Sequence, residues 1–259
     1  MSLEGKTILV TRPREQSREL VDEIQKRGGK AVVIPMIRIL EPESWNLCDD
    51  AIAKLNEFDG IIFTSGNAVE KFLQRCELKG VFSRAFEGKE VYAVGERTAE
   101  LLREYGIQVT FTPKEFSSAE LQRWFKEERA RGKRFIFPKG NLSKEDMPHY
   151  LRSLRATVDE VDVYKNYPPT QQTLEELNSR FLNREFDVVT FASPSAIKRF
   201  HQAVVPDLFG MIHKHSKLAV IGPTTRVAAA ELGFTVDIEA SEATSEGLVD
   251  AIERAFARL

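Results

Sequence analysis

The chain repeats itself, and the repeat limits its fold more than any other feature of the sequence. Phe58-Asp59-Gly60-Ile61-Ile62-Phe63-Thr64-Ser65 lies over Phe186-Asp187-Val188-Val189-Thr190-Phe191-Ala192-Ser193, an offset of 186 − 58 = 128. Both runs lead to an aromatic residue, Phe72 and Phe200. Ala93-Val94-Gly95-Glu96-Arg97-Thr98 lies over Val220-Ile221-Gly222-Pro223-Thr224-Thr225, where 222 − 95 = 127. Gly106 and Gly233, Leu121 and Leu248, Ile8-Leu9-Val10 and Phe135-Ile136-Phe137, and Pro42 and Pro169 keep that spacing. Any two β-α units share an apolar strand, a turn and a helix. They do not share so many blocks in one order and register, and a duplicated unit of about 127 residues is the better reading.

Each copy reads as five short strands alternating with helices. In the first copy they are Thr7–Thr11, Ala31–Leu40, Gly60–Thr64, Glu90–Val94 and Gln108–Phe111; in the second, Arg134–Phe137, Thr157–Tyr164, Val188–Phe191, Leu218–Ile221 and Thr235–Ile238. The runs are continuous and rich in Val, Ile and Phe, as strands covered on both faces are. Amphipathic stretches at Glu15–Arg27, Ala68–Arg75, Thr98–Tyr105 and Thr225–Leu232 supply helices between them. Alternation of strand and helix predicts an α/β protein with two flavodoxin-like parallel-sheet domains.

One strand of each copy is irregular. Ala31–Leu40 is long and contains Pro35, and a proline argues against a central strand. Met36-Ile37-Arg38-Ile39 and Val161-Asp162-Val163-Tyr164 alternate in polarity, and both segments run into proline. They read as linkers rather than sheet members. Being equivalent in the repeat, they are expected to pair about a pseudo-two-fold as a two-stranded antiparallel ladder.

In open α/β sheets ligands bind outside the carboxyl ends of the strands. Those positions hold Thr11-Arg12-Pro13, Thr64-Ser65-Gly66-Asn67, Gly95-Glu96-Arg97-Thr98 and Phe116-Ser117-Ser118 in the first copy. The second copy has Pro138-Lys139-Gly140-Asn141, Ser193-Pro194-Ser195, Gly222-Pro223-Thr224-Thr225 and Ala243-Thr244-Ser245. Hydroxyl, amide and glycine residues that open helices serve equally as caps and as anion-gripping turns. Taken as a set on two domains, they point to a cleft for an anionic ligand. Arg12, Arg38, Arg97, Lys139, Lys165 and Arg226 are candidates for its positive charge, or plain surface residues.

The sequence shows no Walker loop and no dinucleotide glycine fingerprint. His213-Lys214-His215 lacks the carboxylate or cysteine support of a metal site, and His149 and His201 fall in helical stretches. With no legible Ser-His-Asp set either, the expected chemistry uses no cofactor, metal or covalent nucleophile. Tyr164, between Asp162 and Lys165 in the second linker, stands as a general-acid candidate or as an aromatic that packs the ribbon.

The formal charge of −2 argues against a general nucleic-acid surface. No apolar run nears the 18 residues of a membrane span. Met1-Ser2-Leu3-Glu4-Gly5 has no signal-peptide character, and Cys48 and Cys76 stand apart in predicted helices. The expected location is cytoplasmic. Three readings remain open from the residues: a cofactor-free enzyme, a clamshell that binds a small anion, and a phosphosugar isomerase.

The motifs together resemble those of the uroporphyrinogen-III synthase family. They are Val10-Thr11-Arg12-Pro13, Phe63-Thr64-Ser65-Gly66-Asn67-Ala68-Val69, Ala93-Val94-Gly95 with Thr98, Val163-Tyr164, Phe191-Ala192-Ser193-Pro194-Ser195, Ile221-Gly222-Pro223-Thr224-Thr225 and Thr244-Ser245-Glu246-Gly247-Leu248. The resemblance covers essentially the whole chain. It implies a monomeric enzyme of haem biosynthesis that takes hydroxymethylbilane, a linear tetrapyrrole, and closes it to uroporphyrinogen III with ring D inverted and water lost. It further implies a transient contact with hydroxymethylbilane synthase. It marks Tyr164 as the acid for hydroxyl loss, and Ser65, Asn67, Ser193, Ser195, Thr224 and Thr225 as occupants of its substrate-binding turns; the strand-end reading adds Arg12, Thr64, Thr98 and Lys139 as substrate-binding. The resemblance also redraws the domains: residues 1–35 with 168–259, residues 42–160, and linker strands 36–41 and 161–167. One departure is visible. Where the family often has a glycine-arginine pattern, this chain reads Lys139-Gly140-Asn141-Leu142-Ser143-Lys144.

Overall fold

The computed structural model describes residues 2–113, 118–143 and 146–257; Phe116, Ser117 and Lys144, singled out above, lie outside them. Ten strands run along the described chain: β1 (Thr7–Val10), β2 (Lys30–Val33), β3 (Arg38–Leu40), β4 (Gly60–Phe63), β5 (Glu90–Ala93), β6 (Arg134–Gly140), β7 (Thr157–Tyr167), β8 (Val188–Phe191), β9 (Lys217–Val220) and β10 (Ile238–Glu239). They form two five-stranded sheets, ordered β2-β1-β8-β9-β10 and β3-β7-β6-β4-β5. The chain divides accordingly into one compact unit of Met1–Arg38 with Tyr167–Leu259 and another of Ile39–Asn166.

Strand register shows the duplication directly. In the first sheet Thr7 pairs with Lys30, Ile8 with Val188, Val188 with Lys217 and Ile238 with Ala219, all parallel. The repeat maps these pairs onto Arg134 with Thr157, Phe135 with Gly60, Gly60 with Glu90 and Phe111 with Tyr92, and each of those is a parallel pair in the second sheet. Side chains at the strand starts recur too. Asp187 accepts the Thr7 amide at 2.8 Å and Asp59 accepts the Arg134 amide at 2.7 Å. Asp237 accepts the amide of Leu218 and Thr110 that of Val91, at 2.8 and 2.9 Å.

Both faces of each sheet are covered. Along β1, Leu9 enters one apolar cluster while Ile8 and Val10 enter another. Along β6, Ile136 enters one cluster while Phe135 and Phe137 enter the other. Two-sided burial is why these strands read as continuous apolar runs rather than alternating ones. The helices present stripes at helical spacing, as in Gly66–Leu78, which buries Ala68, Val69, Phe72, Leu73 and Cys76. No helix among the described residues is long and apolar enough to cross a membrane.

The irregular segments divide differently from the sequence expectation. The first breaks into β2 and β3 around Pro35. Ile34 and Met36 still donate to the carbonyls of Val10 and Thr11, both at 3.0 Å, so the missing N–H of Pro35 faces the open side of an edge strand. The second does not leave its sheet. Strand β7 runs unbroken from Thr157 to Tyr167, and Val161, Asp162 and Tyr164 pair with Pro138, Lys139 and Gly140. Alternating polarity there reflects a strand with one apolar face. Strand β3 is its neighbour at the edge. Gln108–Phe111 contributes only a single bridge, and Thr235–Ile238 shortens to Ile238–Glu239.

Candidate active site

The hydroxyl-bearing turns follow the carboxyl ends of the strands in each unit, and their local geometry is duplicated. Ser65 follows β4 and caps helix Gly66–Leu78 by accepting the Ala68 amide at 3.2 Å. Ser193 follows β8 and caps helix Pro194–Ala203 by accepting the Ala196 amide at 3.2 Å. After β5, Gly95 takes a φ of +94°, a conformation that favours glycine, and turns the chain into helix Glu96–Glu104. Thr98 in that first turn is buried, and its amide donates to Gly95 at 3.1 Å. Thr225 repeats this after Gly222, buried, with its amide also 3.1 Å from the glycine carbonyl. Thr224 and Ser195 are exposed, and Ser195 lies 3.1 Å from the Ser193 hydroxyl. Arg12 is half-buried beyond β1, next to Thr11, whose hydroxyl is buried and donates to the Thr190 carbonyl at 2.6 Å. Ser245 is buried and donates to Glu19 at 3.0 Å.

The two units differ in what meets the capping serine. In the unit Ile39–Asn166, Tyr164 reaches from β7 to the turn after β4, and its phenol oxygen lies 3.3 Å from Ser65 Oγ. The ring is 6% exposed and belongs to an apolar cluster with Phe63, Ala68, Val161 and Val163. Thr64, Ser65 and Asn67 are half-buried at the same strand end. Asp162, two residues before Tyr164, has a buried carboxylate oxygen with no hydrogen-bond partner.

The positive charges named from the sequence are largely engaged. Lys139 Nζ lies 2.8 Å from Glu160, whose other oxygen takes Arg152 at 2.8 Å. Burial works against the Glu160 charge, but hydrogen bonds from Lys139 and Arg152 outweigh it and hold the carboxyl below its ordinary value. Lys165 pairs with Glu43 at 2.6 Å and Arg226 with Glu239 at 2.9 Å. Arg38 donates to the Pro168 carbonyl at 3.0 Å, and Arg97 lies 3.7 Å from Glu100. His213 packs near Phe234, with ring planes tilted by 42° and centroids 5.6 Å apart.

Sequence reasoning places Gly140 in a strand-end turn and gives it no relation to Tyr164. A Cβ built there would fall 2.5 Å from the Tyr164 ring. A glycine inside a strand marks the close approach of something else, but the sequence reading ends the strand at Phe137 and the structure carries β6 on to Gly140. Asn141, read in the same turn, binds the backbone of Asn166 through both its oxygen and its nitrogen, at 2.8 and 3.3 Å, a contact the sequence reading does not foresee.

Comparison with known proteins agrees with this architecture. The profile of a family described as uroporphyrinogen-III synthase HemD matches residues 18–250. A uroporphyrinogen-III synthase of Synechococcus elongatus is 32% identical over 257 residues, covering 96% of this chain and 95% of its own. That of Chlorobaculum parvum is 31% identical over 239 residues, covering 90% and 92%. Among solved structures, a uroporphyrinogen III synthase of Thermus thermophilus superposes with a TM-score of 0.72 at 14% identity, covering 98% of this chain and 100% of that one. The Helicobacter pylori structure gives 0.58 at 17% identity, covering all of both chains. At such identities the structures speak for the fold; the profile and the sequence relatives speak for the family. The chain belongs to the uroporphyrinogen-III synthase family, enzymes of the cyclising lyase type in tetrapyrrole biosynthesis.

Proposed function

We propose that this chain converts hydroxymethylbilane to uroporphyrinogen III, inverting ring D and releasing water without a cofactor, and that Tyr164 is the acid that starts the reaction. The observation that carries the role of Tyr164 is its phenol 3.3 Å from Ser65 Oγ at a strand end. Ser65 has one proton to donate and two lone pairs, one of them used by the Ala68 amide. Donating that proton to the phenol oxygen leaves the phenol's own proton for the substrate's terminal hydroxyl. The hydroxyl departs as water, and the azafulvene that remains is held for closure at the substituted carbon of ring D through a spiro intermediate. Ring closure ends with loss of a proton from carbon, which restores the phenol. No electrons change hands, so the reaction calls for proton transfer and positioning and no redox group.

Thr64, Asn67, Thr98 and Lys139 in one unit, and Arg12, Ser193, Ser195, Thr224 and Thr225 in the other, are the proposed holders of the substrate's carboxylates, while Ser65 acts through the phenol. The strand orders support reading each unit as flavodoxin-like. The neighbourhood of β3 and β7 supports an antiparallel ladder between 36–41 and 161–167, the second being the continuing end of β7 and not a separate linker, with 1–35 and 168–259 on one side of it in the chain and 42–160 on the other. A monomeric, cytoplasmic enzyme that meets hydroxymethylbilane synthase transiently completes the proposal.

Incubation with hydroxymethylbilane generated in place, followed by oxidation and separation of the porphyrin isomers, tests it. The type III isomer is expected. The type I isomer alone, as forms without enzyme, overturns it.

A further inference from the structure

The pairing of β6 with β7 contains one irregularity. From Arg134 with Thr157 to Lys139 with Asp162 the strands match residue for residue, but the next pair is Gly140 with Tyr164, so Val163 is an extra residue on β7. A bulge of this kind interrupts the two-residue alternation of a strand and re-aims the side chain that follows. Strict alternation sends neighbours to opposite faces. Here Val161, Val163 and Tyr164 all join one apolar cluster. The bulge is therefore what swings the tyrosine towards Ser65.

Residue 140 then decides whether the ring fits. A Cβ at that position would lie 2.5 Å from Cε2 and Cζ of Tyr164 and 2.9 Å from its hydroxyl, far inside contact distance. The backbone of Gly140 is not in the left-handed region, so space and not conformation calls for glycine. Just beyond, the paired hydrogen bonds of Asn141 to the Asn166 backbone tie β7 to the end of β6 two residues past the tyrosine.

We propose that Gly140 and Asn141 are positioning residues that aim the Tyr164 hydroxyl at Ser65 and at the leaving group of the substrate. The inference rests on the reading of Tyr164 as the acid. Neither residue touches reacting atoms; both act through the ring.

The test is a set of double-mutant cycles with hydroxymethylbilane as substrate, reading kcat, KM and thermal unfolding. Gly140→Ala is expected to lower kcat about tenfold or more with KM changed less than about twofold, since a displacement of an ångström at a reacting group is that costly. Asn141→Ala, which adds no bulk, is expected to lower kcat about threefold. In a Tyr164→Phe background both effects vanish, because no hydroxyl remains to aim. Wild-type kcat in Gly140→Ala and Asn141→Ala, or the same loss in the Tyr164→Phe background, overturns the positioning role. Should Gly140→Ala fail to fold, Asn141→Ala decides by the same criteria. Wild-type kcat in Tyr164→Phe overturns the acid assignment itself, and is told apart from a failure of positioning alone by that variant.

Discussion

Ser65 Oγ receives the Ala68 amide at 3.2 Å and lies 3.3 Å from the Tyr164 phenol, so one hydroxyl both ends a strand-to-helix turn and meets the proposed acid. Its repeat partner Ser193 has the same cap at the same 3.2 Å but a second serine, Ser195, in place of the phenol. The turn occurs in both copies, and only the copy with Ser65 brings a phenol to it.

That difference separates two substitutions. Ser65→Ala and Ser193→Ala are each expected to cost about 1 kcal/mol of stability through loss of an N-cap. Only Ser65→Ala is expected to lower kcat; Ser193→Ala should act on KM. Urea denaturation and steady-state kinetics on the two variants check both halves.

Asp49 is held by a bidentate pair with Arg75, both contacts at 2.7 Å, and by Lys79 at 2.6 Å. The Arg75 hydrogen bonds, working against burial and helped by Lys79, bring its carboxyl down to about 2. A depressed carboxylate contributes stability that is complete above its unfolded pKa of about 3.9 and is lost as pH falls through the folded value. Asp49→Asn should therefore lower the unfolding midpoint at pH 7, and the gap to wild type should close between about pH 4 and pH 2.

Cys48 and Cys76 are buried in the same apolar cluster and are unbridged. Burial pushes the Cys48 thiol up to about 12 and raises Cys76 as well. Since the thiolate is the reactive form, both should resist Ellman's reagent in the folded protein and react fully in guanidinium. Prompt reaction of either thiol under native conditions would contradict this packing.

Much of the fold was legible because it is local or repeated. The run Val188–Phe191 coincides with β8, and the offset between copies carries through to paired residues on both sheets. What was not legible depends on contacts distant in sequence. The β7 bulge exists only relative to β6, so no pattern within 157–167 announces it. Lys139 reads as a free cation until Glu160 and Arg152 are seen around it. Pro35 breaks the strand as proline chemistry dictates, but the sequence does not say that its bare nitrogen faces an open edge. Tyr164 could be singled out from its neighbours, whereas its approach to Ser65, ninety-nine residues earlier, could not.

The most direct test of the central claim is the single-turnover rate of Tyr164→Phe on hydroxymethylbilane, measured beside its unfolding midpoint. The account predicts a fall of about a hundredfold, the scale of general-acid assistance, with the midpoint within a few degrees of wild type. A wild-type rate in a folded variant would contradict it.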